Sequence, residues 1–114
     1  MSRINAARAT FEPLRSLGFA GIGAAYAAIG TPLLNPARII KITNNTDANL
    51  LVSTDGVTDH DIAIAQTLIL LDVCANNASS AGYMEFPKGM QIFVKQETAA
   101  PTSGNIYVTT IYAA

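Results

Sequence analysis

The stretch Arg38-Ile39-Ile40-Lys41-Ile42-Thr43 decides how this chain is read. Ile40 and Ile42 fall on one side of an extended backbone and Lys41 on the other, the period-two pattern of a half-buried strand. The polar Asn44-Asn45-Thr46-Asp47 follows and reads as a turn. A second apolar run, Leu50-Leu51-Val52-Ser53-Thr54, then ends at the turn pair Asp55-Gly56. The same rhythm continues to the C-terminus. Thr67 to Val73 is a continuous apolar run between polar residues, the signature of a strand buried on both faces. Tyr83 to Phe86, the turn Pro87-Lys88-Gly89, Met90 to Gln96, a loop from Pro101 to Gly104 and finally Ile106 to Tyr112 complete it. No strand-helix-strand alternation interrupts these short runs. The sequence therefore predicts an all-β chain, a small antiparallel β-sandwich or jelly-roll-like fold, with six strands in its body.

That body starts near Ala37, and residues 1–36 read differently. Ile4, Ala7 and Phe11 suggest at most one helical turn before Pro13 interrupts it. From Ala20 to Ile29 an extended chain places Ile22 and Tyr26 on one side among alanines and glycines, a candidate edge strand. Thr31-Pro32 and Asn35-Pro36 then punctuate. The expected organisation is an extended N-terminal arm over 1–36, including that edge strand, and a sandwich over 37–114. Glu12 and Pro13 before the weakly apolar Leu17 to Ile29 argue against a cleaved secretory signal. Leu17 to Leu34 is mostly alanine and glycine and falls short of the roughly 20 apolar residues of a spanning helix, so no membrane partner is expected.

Composition narrows the function classes. The 114 residues are one domain's worth of chain; 50% are hydrophobic and 13% charged, against about 25% charged in an average soluble domain. A surface with so few charges favours association. A body of roughly 78 residues buries only about 60% of its unfolded surface, which also favours homo-oligomerisation. The net charge of -1 is unevenly spread: residues 1–41 are basic, and residues 42–87 carry six acids and no lysine or arginine. A basic beginning on an acidic body allows contact between subunits. Arg3, Arg8 and Arg15 are too sparse, and the pI of about 5.6 too low, for a specific nucleic-acid footprint.

No constellation names a reaction. Asp55-Gly56-Val57-Thr58-Asp59-His60-Asp61 is the densest polar cluster, but it lacks EF-hand spacing and further zinc ligands. Asp55, Asp59, His60 and Asp61 are read as an interfacial loop, with a cation site as the lesser alternative. Gly18, Gly21 and Gly23 approach a nucleotide-binding pattern that breaks at Tyr26. Cys74, the sole cysteine, sits after an apolar run and reads as a small buried hydrophobe, and one histidine offers little for acid-base catalysis. The aromatics Tyr83, Phe86, Phe93, Tyr107 and Tyr112 fall in alternating runs and read as core or subunit packing. We expect no enzyme, no cofactor and no metal.

Four stretches carry a resemblance: Arg38-Ile-Ile-Lys-Ile-Thr-Asn-Asn-Thr-Asp47, Ser53-Thr-Asp-Gly-Val-Thr-Asp-His60, Pro87-Lys-Gly-Met-Gln-Ile-Phe-Val94 and Pro101-Thr-Ser-Gly-Asn-Ile-Tyr-Val108. Across about two-thirds of its length the chain resembles small β-sandwich structural proteins of tailed-bacteriophage virions. The resemblance implies a capsid cement or decoration subunit in a virion assembled in the bacterial cytoplasm, with the major capsid protein as partner. Neck, collar or tail ring components are the alternative within that class, and a glycan- or receptor-binding sandwich the alternative outside it. Under this reading the arm is ordered on neighbouring subunits, through Arg3, Arg8, Phe11, Arg15 and Tyr26.

Overall fold

A computed structural model describes residues 8–73, 77–78 and 82–114. Arg3, Cys74 and the side chain of Tyr83 lie outside the described residues. The chain forms β1 (Ala9–Phe11), β2 (Arg15–Gly18), a 3-10 turn at Phe19–Gly21, β3 (Ala27–Ala28), β4 (Ile39–Thr46), β5 (Leu50–Ser53) and β6 (Asp61–Ala63). β7 (Thr67–Asp72), β8 (Asn77–Ala78), β9 (Gly82–Tyr83), β10 (Phe93–Gln96) and β11 (Gly104–Ala113) follow. No α-helix occurs among the described residues, and no helix is long and apolar enough to cross a membrane.

Two antiparallel sheets pack face to face. One runs β1-β11-β4-β7, with β2 also on β11; the other runs β3-β10-β5-β6. β1 pairs with Ile111 to Ala113 and β2 with Asn105 to Val108, so the two are halves of one edge strand broken at Glu12-Pro13-Leu14. The break falls at proline, which has no N–H to give a ladder. Counting them as one strand and setting aside the small β8-β9 hairpin, eight strands remain in nested pairs. The first pairs with the last, β3 with β10, β4 with β7 and β5 with β6. The further pairings β11-β4 and β10-β5 roll this long hairpin into two sheets, the connectivity of a jelly roll.

The core fills the space between the sheets with the inward alternate residues: Ile40 and Ile42 from β4, Ile106 and Val108 from β11, Leu50 and Val52 from β5, and Val94 from β10. Ile22, Ile29 and Leu33 join the same cluster. The described residues before Ala37 form β1, β2, the 3-10 turn and β3, and they find partners in their own chain. The Ile29 N–H donates to Ile92 O (2.8 Å), the Leu33 N–H to Met90 O (2.8 Å) and the Glu12 N–H to Thr110 O (3.1 Å). The edge strand expected from Ala20 is confined to β3, because the 3-10 turn and the glycines carry the chain from one sheet to the other.

Three local expectations are corrected. Asn44-Asn45-Thr46 continues β4 instead of turning, because the inward Asn44 and Thr46 satisfy each other. Asn44 Oδ1 accepts from the Thr46 N–H (3.0 Å) and Oγ1 (2.6 Å), while its Nδ2 donates to Ala48 O (3.0 Å) and Ala63 O (2.8 Å). Asp61, read as part of a loop, opens β6, which pairs with β5. The run at β7 lies at a sheet edge, with Leu68 55% and Leu70 58% exposed, so it is not buried on both faces. The loop before β11 ends at Gly104 (φ +88°), where a Cβ would stand 1.9 Å from Asn45 O, so only glycine lets β11 start there against β4.

Ile29 is fully buried although it lies outside the stretch read as the body. Ile29→Ala is expected to lower unfolding stability by about 2–5 kcal/mol, while Phe11→Ala, at a 65% exposed position, stays within about 0.5 kcal/mol of wild type. Urea unfolding checks both. An Ile29→Ala variant as stable as wild type would detach this segment from the core.

Candidate functional site

The residues expected to meet partners divide sharply once folded. Arg15 is 6% exposed and Glu12 likewise 6%. They face each other across the break between β1 and β2, with Arg15 Nη2 2.8 Å from Glu12 Oε1. The guanidinium also donates from Nε to Thr31 O (2.6 Å), from Nη2 to Pro32 O (2.9 Å) and from Nη1 to Thr110 Oγ1 (3.2 Å). Glu12 Oε2 accepts from the Asn35 N–H (2.7 Å) and Nδ2 (2.9 Å), and Oε1 from Thr110 Oγ1 (3.3 Å). Gly30 (φ +68°) makes the room: a Cβ there would lie 2.8 Å from Arg15 Cγ. Arg15 is thus a structural residue. Burial pushes the Glu12 carboxyl upward, but the hydrogen bonds from Arg15, Asn35 and the Leu34 and Asn35 N–H groups outweigh it and hold the group below its ordinary value.

Tyr26 and the Asp55 to Asp61 loop, read separately in the sequence, come together over the outer face of the β3-β10-β5-β6 sheet. The Tyr26 hydroxyl donates to Asp59 Oδ1 (2.5 Å), and Lys95 Nζ lies 3.5 Å from the same oxygen and 4.7 Å from the centre of the Tyr26 ring. Burial, then the hydrogen bond to Asp59 and the charges of Asp59 and Asp55, raise the Tyr26 hydroxyl well above the usual tyrosine range. The Tyr26 hydrogen bond lowers Asp59 in turn.

The remaining acids of the loop cap its own backbone. Asp55 Oδ1 accepts from the Thr58 N–H (2.7 Å), the Val57 N–H (2.8 Å) and Ser53 Oγ (2.8 Å), which keep it strongly acidic. Asp61 Oδ1 accepts from the Ile62 N–H (2.7 Å), and His60 Nδ1 accepts from the Thr54 N–H (3.0 Å). No three His, Cys, Asp or Glu side chains gather as a metal set among the described residues. The loop tip presents Val57, 82% exposed.

A surface that the sequence reading passed over lies on the outer face of the β1/β2-β11-β4-β7 sheet. The register sets Phe11, Ile111, Ile39 and Asp72 in one row across the strands, then Thr109, Lys41 and Leu70, then Ser16, Tyr107, Thr43 and Leu68. Only Lys41 and Asp72 in these rows are charged. Arg8, which is exposed, and Arg38 flank an open groove at one end, floored by Ile39, Ile111 and Ala113. The signal was present in the alternation of Ile39 with Ile40 and of Ile111 with Thr110. The outward phase mixes Ile39, Tyr107 and Ile111 with Lys41, Thr43 and Thr109, so periodicity marks the core face and leaves the outer one unmarked. Compared with protein-family profiles, curated proteins and solved structures, the chain matches none.

Two outcomes test these placements. Arg15→Ala strands a buried carboxylate and is expected to cost about 3–5 kcal/mol of stability. Because the native Glu12 group titrates below its unfolded value, the stability it contributes is complete above the unfolded pKa, about 4.3. It is lost as the pH falls through the native value. Wild type therefore loses more stability between pH 7 and acid than Glu12→Gln does, measured by urea midpoints; parallel losses contradict the assignment. For the loop, Asp59→Asn is expected to bring the Tyr26 titration, followed by NMR, down towards the usual tyrosine range, and an unmoved titration removes Asp59 as its partner.

Proposed function

We propose that the chain is a non-enzymatic structural protein of a tailed-bacteriophage virion, a cement or decoration subunit that lies on the head and stabilises it by binding the major capsid protein. The observation that carries this reading is the outer sheet face bearing Phe11, Ile39, Ile111, Tyr107, Leu68 and Leu70, of which Phe11 (65%), Leu68 (55%) and Leu70 (58%) are more than half exposed. Four strands about 4.8 Å apart and about eight residues long at about 3.3 Å each span on the order of 500 Å² in projection. On that face the apolar Phe11, Ile39, Ile111, Tyr107, Leu68 and Leu70 lie among Ser16, Lys41, Thr43, Thr109 and Asp72, and exposed apolar clusters bordered by polar residues mark interaction sites. A broad, flat, nearly uncharged face suits a protein surface better than a small molecule, which needs a concave site with converging polar groups.

The strand-and-turn resemblance and the low charge content support the same setting. The jelly-roll connectivity is compatible with it, since viral capsid and lectin domains both use that architecture, and it does not decide between them.

The test is made on particles of the phage that encodes the chain. Quantitative mass spectrometry of purified virions is expected to recover the chain at high, fixed copy number relative to the major capsid protein, and antibody labelling to decorate the head. Phe11→Asp, at an exposed position, is expected to weaken rebinding to particles lacking the chain by tenfold or more. Label on the neck or tail would move the protein to those structures, and absence from the particle would overturn the reading.

A further inference from the structure

The two sheets have four edges, and three of them are blunted against pairing with another strand. β1/β2 is interrupted by Pro13, β3 is 2 residues long and β6 is 3. The fourth edge is β7, Thr67-Leu-Ile-Leu-Leu-Asp72, 6 residues long with no proline or lysine. Among the described residues β7 pairs only with β4. Its sequence is that of an interior strand, apolar in both phases. Its position is that of an edge, with Leu68 and Leu70 more than half exposed and Ile69 and Leu71 only half-buried. Edges of this kind are templates for another strand.

We propose that β7 pairs antiparallel with β7 of a second copy about a two-fold axis at Ile69, joining two sheets into one across the dimer. Backbone geometry restricts the register. The Val73 N–H donates to Arg38 O (3.0 Å), and residues 38 and 73 are opposite in the register, so residues 69 and 71 bond towards β4 in step with them. Leu68, Leu70 and Asp72 accordingly direct their N–H and C=O groups to the open edge.

A two-fold at Ile69 sets Leu68 against the partner's Leu70 and Leu70 against the partner's Leu68, two pairs that exchange four backbone hydrogen bonds. The same register brings the four leucines together on the outer face and Ile69 against its counterpart on the inner one. Asp72 falls opposite the partner's Gln66, so no like charges meet. An axis at Leu70 would set Asp72 against Leu68, and one at Leu68 would need Gln66, at φ 63°, to continue the ladder. Among the described residues each copy has one open edge of this length in its two packed sheets, and the two-fold uses it on both copies, so association closes at two. The contact is smaller than the about 800 Å² per partner of a standard interface, and the dimer is therefore reversible and concentration-dependent.

The experiment is sedimentation equilibrium on the full chain over a wide concentration range. The expected result is a mass that rises from 12.0 kDa to twice that value. Leu68→Lys with Leu70→Lys, and separately Leu68→Glu with Leu70→Glu, change exposed side chains and are expected to yield folded monomers by circular dichroism. Mixing the two variants is expected to restore the dimer, because each lysine then faces a glutamate. A wild-type chain that stays monomeric overturns the proposal and leaves the edge to a strand of another protein. So do double variants that still dimerise alone, folded variants that fail to recombine, and growth beyond two copies. The virion reading is tested on particles and stands or falls separately.

Discussion

Glu12 and Arg15 form the contact on which the first third of this structure depends. They flank the one place where the opening edge strand leaves the ladder, at Pro13 and Leu14, and their side chains make the connections that the backbone there does not. Through them the strand is tied to Thr110 in β11 and to Thr31, Pro32 and Asn35 in the link leading to β4. Taking two charges out of water carries a penalty of several kcal/mol each, and a pair in this setting holds only when the remaining donors and acceptors are met. Here they are met by backbone carbonyls and N–H groups on both sides. The pair thereby fixes where the chain passes from one sheet to the other, and with it the position of Ile29 and Leu33 in the core.

Once that segment is in place, the distribution of edges follows from the topology. A hairpin rolled into two sheets leaves the first and sixth strands at the ends of one sheet and the second and fifth at the ends of the other. Proline and shortness close three of those edges. The fourth, β7, carries no proline or lysine and lies beside the outer face, with Leu68 and Leu70 more than half exposed. Edge and face point in perpendicular directions: in the proposed dimer a copy added along the β7 edge extends the outer face, with Leu68 and Leu70 shared between the two. The acidic loop, by contrast, is largely occupied by its own backbone and by Tyr26 and Lys95.

Much of this was legible in the sequence where a period-two pattern had a clear inside and outside. Arg38 to Thr43 marks most of β4, Leu50 to Thr54 marks β5, and Ile106 to Tyr112 marks most of β11, enough for the all-β sandwich. Elsewhere the determining information is not local. Asn44 and Thr46 read as turn residues because their mutual hydrogen bonds inside the core leave no trace in periodicity. β6 opens at a residue read as loop and pairs with β5, and the edge strand expected over Ala20 to Ile29 narrows to the 2 residues that pair with β10. Thr67 to Asp72 has an interior strand's composition at an edge position, so composition alone placed it on the wrong side of burial. Arg15 reads as an exposed basic residue unless Glu12, three positions earlier, is recognised as its partner. The meeting of Tyr26 with Asp59 spans 33 residues and is visible only in three dimensions.

The central claim is that residues from Ala9 onward fold with the jelly roll as one cooperative unit. Native-state amide hydrogen exchange tests it most directly, because the Glu12, Ile29 and Leu33 N–H groups each bond to the carbonyl of a residue in β11 or the stretch leading into β10. The account predicts that these amides exchange only through global opening, with the same protection free energy as those of Val94 and Ile106. Exchange of the early amides through a much less costly opening, while Val94 and Ile106 remain protected, would contradict it.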